Sequence, residues 1–123
     1  MIQLKQFKFE KLQVWDVAMD FAEKIHDIPG NFPSKELYNL QSQINRASDS
    51  IALNISEGAT GNSNAEFGRF LGYSIRSIAE VVCCLFKAKR RNYISEETFN
   101  ALYSEAFMLM NRTAALKNSI INK

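Results

Sequence analysis

Glycine and proline are scarce in this 123-residue chain, which has five of the first and two of the second. So few positions of free or fixed φ exclude collagen-like repeats, turn-rich sandwiches and linker-rich designs, all of which need frequent chain reversal. Cysteine is rarer: Cys83 and Cys84 stand side by side and are too few for the disulfide framework of a small secreted domain. No strictly apolar run is longer than residues 81–86, far short of the roughly 20 residues that span a bilayer. Net charge is also small, since 15 Lys and Arg against 13 Asp and Glu leave +2 with the one histidine neutral. That balance excludes a strongly basic coat or an acidic tail. No basic, apolar, small-residue leader opens the chain, so a cytoplasmic protein without a membrane partner is expected, with one domain over residues 1–123.

What the chain has in abundance is helical periodicity. Breakers at Pro29, Gly30 and Pro33, at Gly58 and Gly61, and around Asn92 and Ser95 divide it into segments of about 8–28, 34–57, 64–91 and 95–121. Apolar residues recur in each at three and four positions. Leu12, Trp15, Ala18 or Met19, Ala22 and Ile25 share a face of the first, and Leu37, Leu40, Ile44, Ala47, Ile51 and Ile55 form a seam on the second. Phe67, Phe70, Leu71, Ser74, Ile78, Val81 and Leu85 mark the third, and Phe99, Leu102, Tyr103, Ala106, Met110, Thr113, Leu116 and Ile120 the fourth. Ser63 with Glu66 reads as a capping box, Ser34 and Ser95 as caps, and Gly58 as the end of the second helix. Short connections make neighbours antiparallel, so the expected fold is an all-α, up-down-up-down four-helix bundle.

The second segment carries another stripe. Gln43, Arg46, Ser50, Asn54 and Glu57 fall within roughly an 80° arc beside the apolar seam. With Ser77 and Glu80 of the third segment they form a candidate structural polar layer, with Arg46 and Glu80 as its expected ion pair. Ordinary solvated surface is the competing reading.

Signs of catalysis are weak by comparison. Glu23 to His26 is a Glu-x-x-His unit, but a carboxylate-bridged di-iron bundle needs two such units and two further glutamates, and this chain has one histidine. Adjacent cysteines on a helix point about 100° apart and lack redox spacing, so they read as reduced packing residues. The segment Gly58-Ala59-Thr60-Gly61 follows no strand and has no lysine, unlike a phosphate loop. No catalytic residue, metal site or cofactor is therefore expected.

The run Gln43-Ile44-Asn45-Arg46-Ala47-Ser48-Asp49-Ser50-Ile51-Ala52-Leu53-Asn54-Ile55-Ser56-Glu57-Gly58 resembles the Q-x-x-R-A-x-x-S-I-x-x-N-I-x-E-G signature of the four helix bundle proteins encoded by intervening sequences of bacterial large-subunit ribosomal RNA genes. Phe9 to Trp15, Phe32-Pro33, Glu66-Phe67, Phe70-Leu71 and Ser77-Ile78-Ala79-Glu80 resemble that family's flanking motifs, so the likeness covers nearly the whole chain. The resemblance implies an antiparallel bundle assembled as a ring-like homopentamer without catalytic activity. A relative, the accessory protein of diversity-generating retroelements, is similar in using a basic pentameric barrel to bind nucleic acid and a reverse transcriptase. Two departures are visible: Arg76 stands where the family often has glycine, and residues 58–62 lack its frequent basic residue.

Charge is unevenly spread. Residues 64–91 hold Arg69, Arg76, Lys87, Lys89, Arg90 and Arg91 against Glu66 and Glu80, a net +4. Lys87, Lys89, Arg90 and Arg91 form a candidate RNA- or DNA-binding patch, although cations in a last helical turn also complement its dipole. The 14 aromatics, nine of them Phe, exceed the need of one small core, and Phe7, Phe9, Tyr73, Phe86, Tyr93 and Phe107 fall off the main seams. Bundle packing and a subunit interface account for them equally. The expected function is thus a non-enzymatic, homo-oligomeric interaction protein that binds nucleic acid, or alternatively a protein-binding scaffold without nucleic-acid affinity.

Overall fold

The computed structural model describes residues 6–123. Helices α1 (Gln13–His26), α2 (Leu40–Thr60), α3 (Asn64–Arg90) and α4 (Glu96–Ile121) are accompanied by short 3-10 turns at Lys8–Lys11, Ile28–Asn31 and Ser34–Glu36. Each helix packs on the next, and α4 closes the square against α1. Residues 61–63 and 91–95 are too few to do more than reverse the chain, so the bundle runs up-down-up-down as its periodicity indicates. Among the described residues no helix is long and apolar enough to cross a membrane.

The core is the sum of four stripes. Leu40, Ile44, Ala47, Ile51 and Ile55 of α2 are all buried, as are Phe67, Leu71, Ile78, Val81 and Leu85 of α3. On α4 the stripe is Phe99, Leu102, Ala106, Leu109 and Ile120, and on α1 it is Val14, Ala18, Phe21, Ala22 and Ile25. Each large side chain fully buried in this way contributes about 1.5–3 kcal/mol. The face of α1 is turned relative to the sequence reading: Phe21 is buried, Met19 is exposed, and Leu12 and Trp15 are half-buried. Leu37 is exposed because it precedes α2.

Three boundaries also differ. The first helix begins at Gln13, since residues 8–11 form a tighter turn that ends on an extended Leu12. Ser34 does not cap α2 but lies inside a turn that opens after Pro33, and α2 starts six residues later behind a non-helical Asn39. Gly58 lies within α2, which runs on to Thr60, and its place there is set by packing. A Cβ at Gly58 would stand 2.7 Å from the Cβ of Phe70 and 3.0 Å from Cδ1 of Phe67, so only hydrogen lets α3 approach so closely.

The other two caps form where expected, although the Glu66 carboxylate does not return the bond that would complete a capping box among the described residues. The Ser63 hydroxyl accepts from the Glu66 amide at 3.1 Å, and that of Ser95 from the Thr98 amide at 3.0 Å. Between α3 and α4 the chain turns at Asn92, whose φ of 62° is the left-handed conformation that asparagine tolerates. The Asn92 amide donates to the Lys89 carbonyl and the Tyr93 amide to the Ala88 carbonyl, a Schellman closure that satisfies two end carbonyls of α3.

Gly58→Ala is expected to lower unfolding free energy by about 1–3 kcal/mol, because the overpacked atoms are a helix backbone neighbour and a buried ring. Gly72→Ala should instead be neutral or stabilising by up to about 1 kcal/mol through helix propensity, since the atom it meets at 3.2 Å is the mobile Lys117 ammonium. Urea denaturation of both variants checks the contrast.

Candidate functional site

The basic end of α3 is only partly free. Lys89 Nζ lies 3.6 Å from Glu96 and 4.5 Å from the centroid of the Phe99 ring, which combines an ion pair with a cation–π contact. Arg91 Nη1 donates to Glu36 Oε2 at 3.2 Å. Lys87 and Arg90 are exposed, and among the described residues neither has an acidic group within 4 Å. Two of the four expected phosphate contacts are thus engaged within the chain, one by the first residue of α4 and one by the segment before α2.

Glu36 is the residue that the sequence reading missed. Its side chain is nearly fully buried, at 4% exposure, and its carboxylate takes four hydrogen bonds. Tyr93 Oη donates at 2.7 Å and Arg91 at 3.2 Å to Oε2, while Asn39 Nδ2 at 3.0 Å and the Leu40 amide at 3.4 Å donate to Oε1. The last of these satisfies an orphan amide at the start of α2, the task assigned to Ser34. Phe32 packs on Tyr93 with ring centroids 5.3 Å apart. The Tyr93 hydroxyl, then the Leu40 amide, the Arg91 charge and the Asn39 amide hold the Glu36 carboxyl below the ordinary glutamate range, against its burial. The same bond pushes the Tyr93 phenol up. This cluster ties the segment before α2 to the turn after α3. It binds the fold together and offers no nucleophile or free base.

The polar stripe resolves into hydroxyls and an amide, not ions. The Ser50 and Ser77 hydroxyls hydrogen-bond across the α2–α3 seam at 2.6 Å, and Asn54 Nδ2 donates to the Ser50 carbonyl at 2.8 Å. One layer deeper, the buried Ser74 hydroxyl donates to the Ile51 carbonyl at 2.8 Å. Gln43 is half-buried, whereas Arg46, Glu57 and Glu80 are exposed. The expected Arg46–Glu80 ion pair is absent among the described residues. Each charge sits at the outer edge of the seam, where water solvates it as well as a partner would.

His26 Nε2 lies 3.0 Å from Asp49 Oδ1, joining α1 to α2, and Lys24 pairs with Glu105 to join α1 to α4. Glu23 and His26 therefore fall on an exposed helical rim. Cys83 is exposed and Cys84 buried, where burial pushes the thiol up to about 11.

A ladder of aromatics spans the outer side of α3 and α4. Phe86 meets Phe99 edge-on at 4.8 Å, and Phe99, Tyr103 and Phe107 follow one another at 5.7 and 6.4 Å. Beside it runs a groove of about 200 Å³ lined by Ile78, Ala79, Val82, Tyr103, Phe107 and Met110. Phe107 is 58% and Met108 51% exposed. Of the exposed residues between Asn100 and Ser119, only Arg112 is charged. Of the other off-seam aromatics, Tyr93 serves the Glu36 cluster, and Phe7 stacks on Phe9, which packs on Trp15.

Because folding holds Glu36 ionised at a pH where an unfolded glutamate already takes up a proton, the unfolded chain binds more protons in acid. The Glu36 contribution is therefore present above the ordinary glutamate range and lost as pH falls through and below it. Melting temperature measured across the acid range should fall less steeply with pH in Glu36→Gln than in the unchanged protein, from a starting value several degrees lower.

The geometry has counterparts among known proteins. No curated protein matches the chain. The crystal structure of a protein with unknown function from the S23 ribosomal protein family of Bacteroides thetaiotaomicron superposes with a TM-score of 0.76, covering 85% of this chain and 97% of that one at 22% identity. At that identity the likeness speaks for the shared bundle alone. The 23S rRNA-intervening sequence protein family matches residues 10–115, and the chain belongs to that family.

Proposed function

We propose that this protein is a non-enzymatic bundle that works as a homo-oligomer, with a second copy seated against the α3–α4 face. The observation that supports this reading is the aromatic ladder and its apolar groove, bordered by α4, whose exposed residues between Asn100 and Ser119 include one charge, Arg112. Charge favours another copy of this chain as the occupant. Helix α1 is net −2 and α3 net +3, and they lie at opposite corners of the square. Head-to-tail docking sets the acidic α1 side of one copy along the groove of the next, beside the α3 cations and not over them, and contacts of that heterologous kind form a ring where the rotation per copy closes. Five copies is the number that the family resemblance implies.

Light scattering coupled to size exclusion is expected to give a multiple of the 14.0 kDa chain mass. Phe107→Glu should shift it toward monomer while leaving helicity intact, as the ring is largely solvent-exposed in a single copy. A concentration-independent 14.0 kDa species in the unchanged protein contradicts the reading.

A second activity, binding of RNA or DNA, is supported by the excess charge of α3 and by the unpaired cations Lys87 and Arg90 at its end. Repetition around an assembly multiplies such a patch without new contacts. Replacing Lys87 and Arg90 together by Gln should weaken binding and flatten its salt dependence by about 1.4 to 1.8 in log–log slope, the loss for two phosphate contacts. The same change at Lys89 and Arg91 should do less, because these cations are already held by Glu96 and Glu36. If labelled RNA and DNA fail to bind even at low salt, the protein is a scaffold without nucleic-acid affinity.

A further inference from the structure

The outer face of α3 carries more than the cluster at its end. At about 100° per residue, Arg69, Tyr73, Arg76, Glu80, Lys87 and Arg90 fall within an arc of about 100°, and all six are exposed. The stripe is about 30 Å long at 1.5 Å rise per residue and contains four cations and one acid. It lies between the seam with α2 and the apolar groove with α4, so it stays open when that groove is filled.

Its N-terminal half is built rigidly. Phe70 is wedged against Gly58 of α2, where no side chain stands in its way. Tyr73 rests edge-on against Phe70 with ring centroids 5.4 Å apart, and the Arg69 guanidinium lies 5.7 Å from the Phe70 ring centroid. An exposed aromatic ring is thereby held in a fixed position between two arginines about 10 Å apart along the axis.

From this placement, and resting on the nucleic-acid reading above, we infer that the α3 stripe is a track for single-stranded nucleic acid, with Tyr73 as the platform for one unpaired base and Arg69, Arg76, Lys87 and Arg90 as phosphate contacts. A linear row of cations interrupted by an aromatic ring is the arrangement that takes a flexible strand, since every base has a face to stack while the backbone follows the charge. A duplex keeps its bases paired and offers Tyr73 nothing to stack on. Glu80 is the one repulsive group along the track.

The test is fluorescence anisotropy of labelled oligouridylate, oligothymidylate and a duplex of equal length over a salt series, with circular dichroism melting as the fold control. The single strands should bind more tightly than the duplex. Tyr73→Ala should weaken single-strand binding about tenfold and leave duplex binding unchanged, and Tyr73→Phe should restore it. Arg69→Gln with Arg76→Gln should lower the single-strand salt slope by about 1.4, and Glu80→Gln should tighten binding.

Wild-type affinity in Tyr73→Ala, or preference for the duplex, overturns the track. Loss of binding confined to changes at Lys87 and Arg90 does the same while leaving the nucleic-acid reading intact. Absence of all nucleic-acid binding at low salt overturns both, as does capture by phosphatidylserine vesicles without capture of the oligonucleotides.

Discussion

The close approach of α2 to α3 governs the arrangement of everything outside it. Two helices this near each other must present small or hydrogen-bonding residues at the contact. Here Gly58 admits Phe70 and Phe67, while Ser74 reaches the Ile51 carbonyl and Ser50 meets Ser77. The serines do what a larger apolar side chain could not, filling a narrow gap and leaving no hydroxyl stranded. Their bonds to backbone and to each other set the register of α3 on α2. That register in turn decides which α3 residues face the core, which face α4 and which face water.

With the register set, the outer side of α3 divides in two. Ala79, Val82 and Phe86 turn toward α4 and border the apolar groove, whereas Arg69, Tyr73, Arg76, Lys87 and Arg90 point away from both neighbours. Phe70 stands between these roles, since its ring is fixed by Gly58 and itself fixes Tyr73. The far end of the bundle has its own clamp. Glu36 joins the segment before α2 to the turn after α3, and in doing so it withdraws Arg91 from the surface charge. The protein thus settles part of its cation supply in holding its fold, while Arg69, Arg76, Lys87 and Arg90 stay exposed on α3.

How far the sequence reveals this depends on whether the information is local. The seam of α2 is local in the periodic sense, and Leu40, Ile44, Ala47, Ile51 and Ile55 all lie in the core. Ser63 and Ser95 declare their caps within three residues. Leu12 and Trp15, by contrast, supply apolar residues just where a turn gives way to a helix, so periodicity leaves Phe21 out of the face of α1. The Glu36 cluster was invisible because its decisive partners, Arg91 and Tyr93, are 55 and 57 residues away. The run from Lys87 to Arg91 was legible as charge but not as free charge, since its counterions come from other elements. For the same reason the arc of Arg46 and Glu80 could be drawn on a helical wheel while their depth could not.

The whole-chain charge of +2 conceals an electrostatic asymmetry that matters more than its size. With α1 net −2 and α3 net +3 at opposite corners, the bundle carries a transverse dipole. Such a molecule repels a polyanion from one side and draws it to the other, so approach is oriented although the net charge is low. The same asymmetry would orient one copy relative to the next in the proposed assembly, with the apolar groove on the flank of α3 supplying the contact area that charge alone does not. Because groove and stripe share one helix, filling the groove fixes the orientation of α3 relative to its neighbours in an assembly. Self-association and strand binding, as proposed, would be coupled through α3: each added copy would contribute another stripe of fixed direction, and a strand spanning two stripes would hold the copies together in turn.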